Sequence, residues 1–532
     1  MKKGFWLQLL EIVLGVLVGV LMTLTIIKAR GDRFERKVRY RDWQKLNVIL
    51  GTVEENYVDT IKIAEMTDAA IVAALHELDP HSIYLPPVEL ESAEADLSAD
   101  FQGIGIQFNV PNDTAVVLEV IPGGPSEKVG LLPGDRLLKV DTTVIAGVRF
   151  PQDSMVRRIK GPAGSKVRIT VKREREVIPF DITRAKIPIH SIDAYFMVDD
   201  TTAYLRLAKF SASTHKEFVA AAASLKEQGM KRLLFDVRDN AGGYFEQACL
   251  LCNEFLPRGA DIVYLEGRHR SRQITRADGR GAYQDLPLTV LVNENSASSS
   301  EIFAGAIQDN DRGVLVGRRT YGKGLVQEPV YFTDGSGLRL TVARFHTPSG
   351  RCIQKPYSSD YEYDIYKRYV GGEVFSADSV KVDTTDVYTT LLGRKVYGGG
   401  GIIPDVFVPV DTTRVTSFYL KCNKKATQMR FATAMFDKYR KLLLGISDEQ
   451  SLATFMSAIS IPDRFREFAA SKDGITAQEG EWQETLPYLV PQLNALVARY
   501  SKLGENAFYK YYLPIDDAVK VALRQSSKVT VQ

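Results

Sequence analysis

Between Leu288 and Gln327 the chain alternates apolar runs of two different kinds, and that alternation constrains the fold more than any other feature. Leu288-Thr289-Val290-Leu291-Val292 is a short apolar run of strand type. A small polar cluster follows, Asn293 to Ser300. Then comes Glu301 to Ile307, with apolar residues at 302, 303, 306 and 307, which is helical spacing. A second strand-type run, Gly313 to Gly317, leads into Thr320-Tyr321-Gly322-Lys323-Gly324-Leu325-Val326-Gln327. The pattern repeats upstream. Ala203 to Leu207 reads as a strand, Thr214 to Gln228 as a helix closed by Gly229, and Arg232 to Val237 as the next strand. Strands alternating with helices imply an α/β layered core.

Two residue types in that stretch carry chemistry. A serine where a strand turns into a helix has its hydroxyl held near the positive end of the helix dipole, where an anion is stabilised. A lysine between two glycines, beside Leu325 and Val326, can be desolvated, and desolvation favours its neutral, basic form. Together they are the parts of a serine/lysine acyl-transfer site. On spacing alone a plainer alternative stays open: the serines cap a helix and Gly-Lys-Gly is an exposed turn.

Asn295-Ser-Ala-Ser-Ser-Ser-Glu-Ile-Phe-Ala-Gly-Ala306 and Tyr321-Gly-Lys-Gly-Leu-Val-Gln327 resemble the carboxyl-terminal processing peptidases, or tail-specific proteases. The resemblance implies Ser298 as nucleophile, Lys323 as base and Gln327 as the residue that orients the lysine. Ser299 stands where the family commonly has alanine, and only its backbone N–H is expected to act, on the oxyanion. Asp236-Val-Arg-Asp-Asn-Ala-Gly-Gly243 resembles the family's Asn-x-Gly-Gly turn, which implies Gly243 as the other oxyanion donor, with Gly242 as the substitute. Ala241 replaces a common proline, which leaves a backbone donor unaffected. Pro348 to Gln354 and Gly399 to Val406 resemble segments that close the family's protease core. The resemblance covers roughly residues 75 to 410 and implies a crotonase-like α/β core.

Ser98 to Arg184 resembles a PDZ domain inserted ahead of that core. Phe101-Gln-Gly-Ile-Gly-Ile-Gln-Phe108 is similar to a carboxylate-binding loop, with Gly103, Ile104, Gly105 and Ile106 expected to receive a peptide terminus. Gly130-Leu-Leu-Pro-Gly-Asp135 is similar to the turn before a strand at Leu137 to Val140. Val156 and Ile159 are expected on the helix that walls the groove, and Val167 to Val171 alternates like a strand.

The remaining chain bounds the rest. Net charge is +3 over 532 residues, so no nucleic-acid partner is implied. Phe5 to Ile27 is apolar, uncharged from Ile12, and long enough for a membrane span, with no small-x-small cleavage site before Arg30. Lys28 to Arg41 carries many positive charges, which by the positive-inside rule places the body in the cytoplasm. The family resemblance instead implies a single-pass anchor in a bacterial inner membrane with the body in the periplasm, and that reading is preferred. Cys249 and Cys252 sit in an apolar helical run and are read as packing, and no metal or cofactor is implied. Ser213-Thr-His-Lys216 matches Ser-x-x-Lys, but Ser213 falls at a helix N-cap. His76-Glu77 followed by His81 has the wrong spacing for zinc, and Pro80 ends the helix, so the segment Leu78 to Leu85 is read as structural although it resembles a family signature.

The organisation expected is therefore an anchor over 1–30, a helical region over 31–97, the PDZ domain over 98–184, the protease core over 185–411 and a helical extension over 412–532. The expected activity is that of a serine endopeptidase acting near free carboxyl-terminal tails of envelope proteins, alone or as a homo-oligomer. The rivals are an inactive tail-binding adaptor, disfavoured by intact Ser298, Lys323 and Gln327, and an α/β-hydrolase, for which no Gly-x-Ser-x-Gly elbow exists.

Overall fold

The computed structural model describes residues 14–25, 44–87, 89–90, 93, 100–110, 113–121, 123–188, 190–357 and 361–526. It divides into two compact units, Met1–Glu77 and Leu78–Gln532. In the first, residues 14–25 are helical, and two more helices follow, Gln44–Asn56 and Ile63–His76. The expected anchor, Phe5 to Ile27, lies partly outside the described residues. No helix among the described residues is long and apolar enough to cross a membrane.

The second unit begins with a short strand, β1 (Ile83–Leu85), inside the region read as helical. Three residues are too few to show a strand's alternation, and β1 is held by its partner, not by its own pattern. The stretch that resembles a PDZ domain follows. Its antiparallel sheet runs in the order Ile106–Asn109, Ala115–Val120, Arg136–Val140, Lys166–Arg173 and Glu176–Thr183. Val167, Ile169 and Val171 are buried while Lys166, Arg168 and Lys172 are exposed, the period of two of a sheet with one wet face. Met155 and Ile159 of the helix Gln152–Ile159 complete that core.

The region expected as the protease core contains the strands β2 (Thr202–Leu207), β3 (Arg232–Asp236), β4 (Leu288–Val292) and, after the helix α1 (Ser299–Asp309), β5 (Val314–Gly317). They pair in parallel, with Ile192–Met197 antiparallel at one edge and Val406–Phe407 parallel at the other. Every residue of β4 is buried, as a strand covered on both faces must be. Phe218, Phe235, Phe255 and Phe303 pack on one face. The other face receives Leu513, Ala518, Val519 and Ala522 from the carboxyl-terminal end of the chain, so the extension completes the core.

A second, antiparallel sheet adds β6 (Leu325–Tyr331) and β7 (Gly337–His346), with β1 and Asp261–Gly267 also paired to β7. The PDZ domain is thus an insertion between β1 and the strands it belongs with. The extension has its own aromatic core around Phe418, Phe431, Phe436 and Phe465. It also grips the PDZ domain: Arg136 pairs with Asp437 at 2.6 Å, Arg440 reaches Asp135 at 3.2 Å, and Leu118 packs on the helical core.

Candidate active site

Four serines crowd the turn from β4 into α1, and their hydroxyls separate them. Ser296 Oγ donates to the Val237 carbonyl at 2.8 Å, Ser299 Oγ to that of Gly243 at 2.9 Å, and Ser300 Oγ to that of Asn240 at 2.8 Å. The Ser298 hydroxyl donates to no carbonyl among the described residues. Its backbone also stands apart, at φ +54° and ψ −114°. Such a conformation costs a non-glycine residue about 1–3 kcal/mol and persists only where its surroundings enforce it.

Glu301 supplies much of that enforcement. It is fully buried, at 0% exposure, one turn into α1. Its Oε2 accepts the N–H of Ser298 and the N–H of Lys323, each at 2.9 Å. Its Oε1 accepts the Thr320 hydroxyl and, at 2.8 Å, the Gly322 N–H. One carboxylate therefore ties the serine turn to the lysine loop, and the Tyr321 N–H bonded to the Ser296 carbonyl at 3.0 Å adds a second tie. Burial pushes the Glu301 carboxyl above its ordinary range, against the hydrogen bonds, which favour the ionised form.

The glycines around Lys323 are not those of an exposed turn. Gly322 has φ +91°, and a Cβ there would stand 3.0 Å from the Gly401 nitrogen; one at Gly324 would stand 3.0 Å from the Gln354 nitrogen. Only glycine lets the chain pass so close to neighbouring backbone. Lys323 is half-buried, and burial, then the Arg339 charge, hold its ammonium below the ordinary lysine range, while Glu301 and Asp79 work the other way. Gln327 lies on β6 where the ladder to β7 shifts register between Val326 and Gln327, a bulge of the sort that re-aims a side chain. Its Nε2 donates to the His81 carbonyl.

The loop from Asp239 to Gly243 packs onto the same turn. Asn240 is fully buried, donates from Nδ2 to the Leu207 carbonyl at 2.9 Å, and accepts the Gly242 N–H at 2.9 Å. Its carbonyl accepts the Ala297 N–H at 3.0 Å. A Cβ on Gly242, at φ +99°, would stand 2.8 Å from Ser298 Cβ and 2.9 Å from the Ser299 nitrogen. Gly242 spends its N–H on Asn240, whereas the N–H groups of Gly243 and Ser299 meet no acceptor among the described residues. The structure thus brings Ser298, Ser299, Gly243 and Lys323 to one place.

The expected peptide loop lies in the PDZ domain. A cavity of about 330 Å³ is lined by Ile104, Gly105, Ile106 and Phe108 and faced by Val156 and Ile159, the two helix residues that the PDZ resemblance places there. Gly103 ends the strand Asp100–Gly103, which pairs with Ala185–Pro188. Elsewhere, Ser213 spends its hydroxyl on Glu217, and Cys249 and Cys252 are buried.

Three parts of the site were not singled out from sequence. Glu301 has a readable signal, since Ser-x-x-Glu before a helix is a capping box. Asn240 was seen only as part of a Gly-Gly turn. The turn Asp79 to Ser82 was read as structural, and nothing local announces that it reaches Gln327.

Family models match two stretches: peptidase family S41 over residues 201–365 and a PDZ domain over residues 102–183. A peptidase core joined to a PDZ domain is the class these define. The carboxy-terminal processing protease CtpA of Bacillus subtilis is 32% identical over 315 residues, 59% of this chain and 67% of that protein. A carboxyl-terminal-processing protease of Synechocystis is 31% identical over 374 residues, 66% of this chain and 86% of that protein. A solved photosystem II D1 C-terminal processing protease is 28% identical, covering 69% of this chain and 87% of its own, with a TM-score of 0.39. The chain belongs to the carboxyl-terminal processing proteases of peptidase family S41, and is a serine peptidase.

Proposed function

We propose that Ser298 attacks the peptide carbonyl while neutral Lys323 takes its proton. Gln327 orients the lysine, and the N–H groups of Gly243 and Ser299 hold the oxyanion. The carrying observation is that Ser298, alone among its serine neighbours, combines a strained backbone with a hydroxyl spent on no carbonyl, and shares the Glu301 carboxylate with Lys323. The strain aims the side chain out of the helix start, as a nucleophile requires. Partial burial favours the neutral amine, so the lysine can serve where histidine is commoner. Proton return to the leaving amine, then attack by water on the acyl-serine, completes the cycle.

The substrate is a protein with a free carboxyl-terminal tail, received in the PDZ groove by the loop Gly103-Ile104-Gly105-Ile106. The apolar groove wall supports an apolar last residue. Phe5 to Ile27 anchors the chain in a bacterial inner membrane, with the body in the periplasm acting on envelope proteins. The uncharged run from Ile12 to Ile27 supports the anchor. The parallel order β2-β3-β4-β5 supports a crotonase-like core.

A fluorophosphonate, which phosphonylates activated serines with loss of fluoride, tests the site. Peptide mapping should place the label on Ser298, and Lys323→Ala should prevent labelling. Label on Ser296 or Ser300, or undiminished labelling of Lys323→Ala, overturns the assignment. Protease added to the periplasm of intact cells should digest the body; digestion only after the inner membrane is broken overturns the placement.

A further inference from the structure

The geometry points to the half-buried turn Asp79-Pro80-His81-Ser82 as the element that positions Gln327 and, through it, the Lys323 amine. The inference rests on the reading of Lys323 as the base. A backbone carbonyl only accepts, so the His81 oxygen dictates which end of the Gln327 carboxamide faces it: the N–H2 donates there, and in the proposed mechanism Oε1 is the end left for Lys323. Were the amide reversed, its donors would confront those of the lysine. The turn thus settles an orientation that the amide by itself leaves open.

The turn is built to hold that carbonyl still. Asp79, 8% exposed, accepts the N–H groups of His81 and Ser82 at Oδ1, each at 2.7 Å, and the Ser82 hydroxyl at Oδ2, at 2.7 Å. Thr341 Oγ1 adds a longer bond to Asp79 at 3.3 Å, and the Thr341 N–H donates to Ser82 Oγ at 3.1 Å. Thr341 is also the ladder partner of Gln327 at the bulge, so the bonds close a ring: Gln327, Thr341, Asp79 with Ser82, His81, and back. The His81 ring makes a second tie. Its Nε2 meets Tyr361 Oη at 2.6 Å, Tyr361 Oη takes Gln354 Nε2 at 3.1 Å, and Gln354 Oε1 takes the Gly324 N–H at 2.9 Å. Both Gln327 and the residue after Lys323 therefore lead back to one turn more than 200 residues upstream.

Asp79 adds a charge. Burial works to raise its carboxyl, but the bonds from Ser82, His81 and Thr341 hold it below the ordinary range, so it is ionised whenever Lys323 titrates. That charge favours the protonated lysine, against burial and Arg339. Asp79→Asn keeps the size of the side chain and removes the charge.

The test is the rate at which the fluorophosphonate phosphonylates Ser298, measured across the pH range in which the full chain stays folded. For Asp79→Asn the plateau should fall on the order of tenfold or more, because the amine is misplaced, and the acid limb should move to lower pH. An unmoved limb, with or without a loss of plateau, overturns the inference, since damage to packing alone lowers the rate without shifting the titration. Should Asp79→Asn fail to fold, Ser82→Ala keeps the charge but loosens the turn; its plateau should fall severalfold with the limb in place, and an unchanged plateau overturns the inference. Lys323→Ala separates the two failures. If it is still labelled, the reading of the base has failed; if it is inert while Asp79→Asn behaves as the parent, only the positioning role has.

Discussion

In the proposed mechanism the chain offers backbone N–H groups to an anion in two places, and the two are built differently. At the turn Asn240 to Gly243 nothing gives: a Cβ on Gly242 would stand 2.8 Å from Ser298 Cβ, and one on Gly243 would overlap the Phe210 carbonyl oxygen. At the PDZ loop, Gly105 has φ +74°, but a Cβ there would meet only side chains, Ile187 Cδ1 at 3.2 Å and Pro125 Cδ at 3.5 Å. The Ser126 and Ile121 N–H groups hold the carbonyls of Ile104 and Gly105 at 3.1 and 3.0 Å, and among the described residues no side chain braces the loop as Asn240 braces the other. An oxyanion exists only near the transition state, so its donors must stand ready beforehand. A tail carboxylate is present throughout binding, and the loop can settle around it.

The largest test of that contrast removes the chemistry and leaves the groove. Ser298→Ala and Lys323→Ala should each lower kcat by about 10³-fold or more, and the double variant should be no worse than either, because the residues act as one unit. Tail-peptide affinity, by calorimetry, should stay at the parent value in all three. Substantial turnover by Ser298→Ala would break the comparison at its catalytic end.

A smaller effect comes from one methyl group placed in each loop. Gly242→Ala pushes the donors away from Ser298 and should cost about 10²–10³-fold in kcat, the scale of losing an oxyanion donor. Gly105→Ala meets movable side chains and a backbone cost of about 1 kcal/mol, and should raise KM several-fold with kcat unchanged. Equal losses in kcat from the two would show that both loops are rigid, and the contrast would fall.

Amidating the tail of a peptide substrate probes the PDZ loop from the ligand's side. A charge-assisted hydrogen bond contributes about 1.5–3 kcal/mol, so the amidated peptide should bind on the order of tenfold more weakly. Its kcat at saturation should match that of the free acid. Equal KM values for both would remove tail recognition from the PDZ domain.

How much of this could be read from sequence depended on the range over which each feature is decided. β4 was legible because its burial on both faces is written in adjacent apolar residues, and α1 because Ile302, Phe303, Ala306 and Ile307 carry helical spacing, although the structure buries every residue of that helix. The trio Ser298, Lys323 and Gln327 is proposed from resemblance, since their loops carry their own glycines. The backbone of Ser298 was not, because its φ is imposed by Glu301 and the Gly242 turn, and any of four serines fits the same local pattern. β1 is three residues long and owes its form to β7. Residues 513–522 show an apolar face, but such a face does not name the sheet it covers. Asp79 could be seen as a turn residue; that the turn holds Gln327 is decided by a pairing across the PDZ insertion.

The smallest effect separates the two loops by titration. Burial first and Arg339 second hold the Lys323 ammonium below its ordinary range, and the proposed mechanism needs the neutral amine. Activity should therefore rise with pH through the titration of Lys323. Arg339→Gln removes a positive neighbour, which stabilises the ammonium and raises its pKa, so the acid limb of kcat/KM should move to higher pH by a fraction of a unit, with the plateau unchanged. Asp79→Asn removes a negative neighbour and should move the same limb the other way. Tail binding should be flat across this range, because backbone N–H groups do not titrate and a tail carboxylate is already ionised. Should the limb of Arg339→Gln stay in place while the parent's acid limb persists, the titrating group is not Lys323. Should tail affinity follow the same limb, the two anion-facing loops share one charge, and the separation between a loop set for the transition state and one set for the ligand is lost.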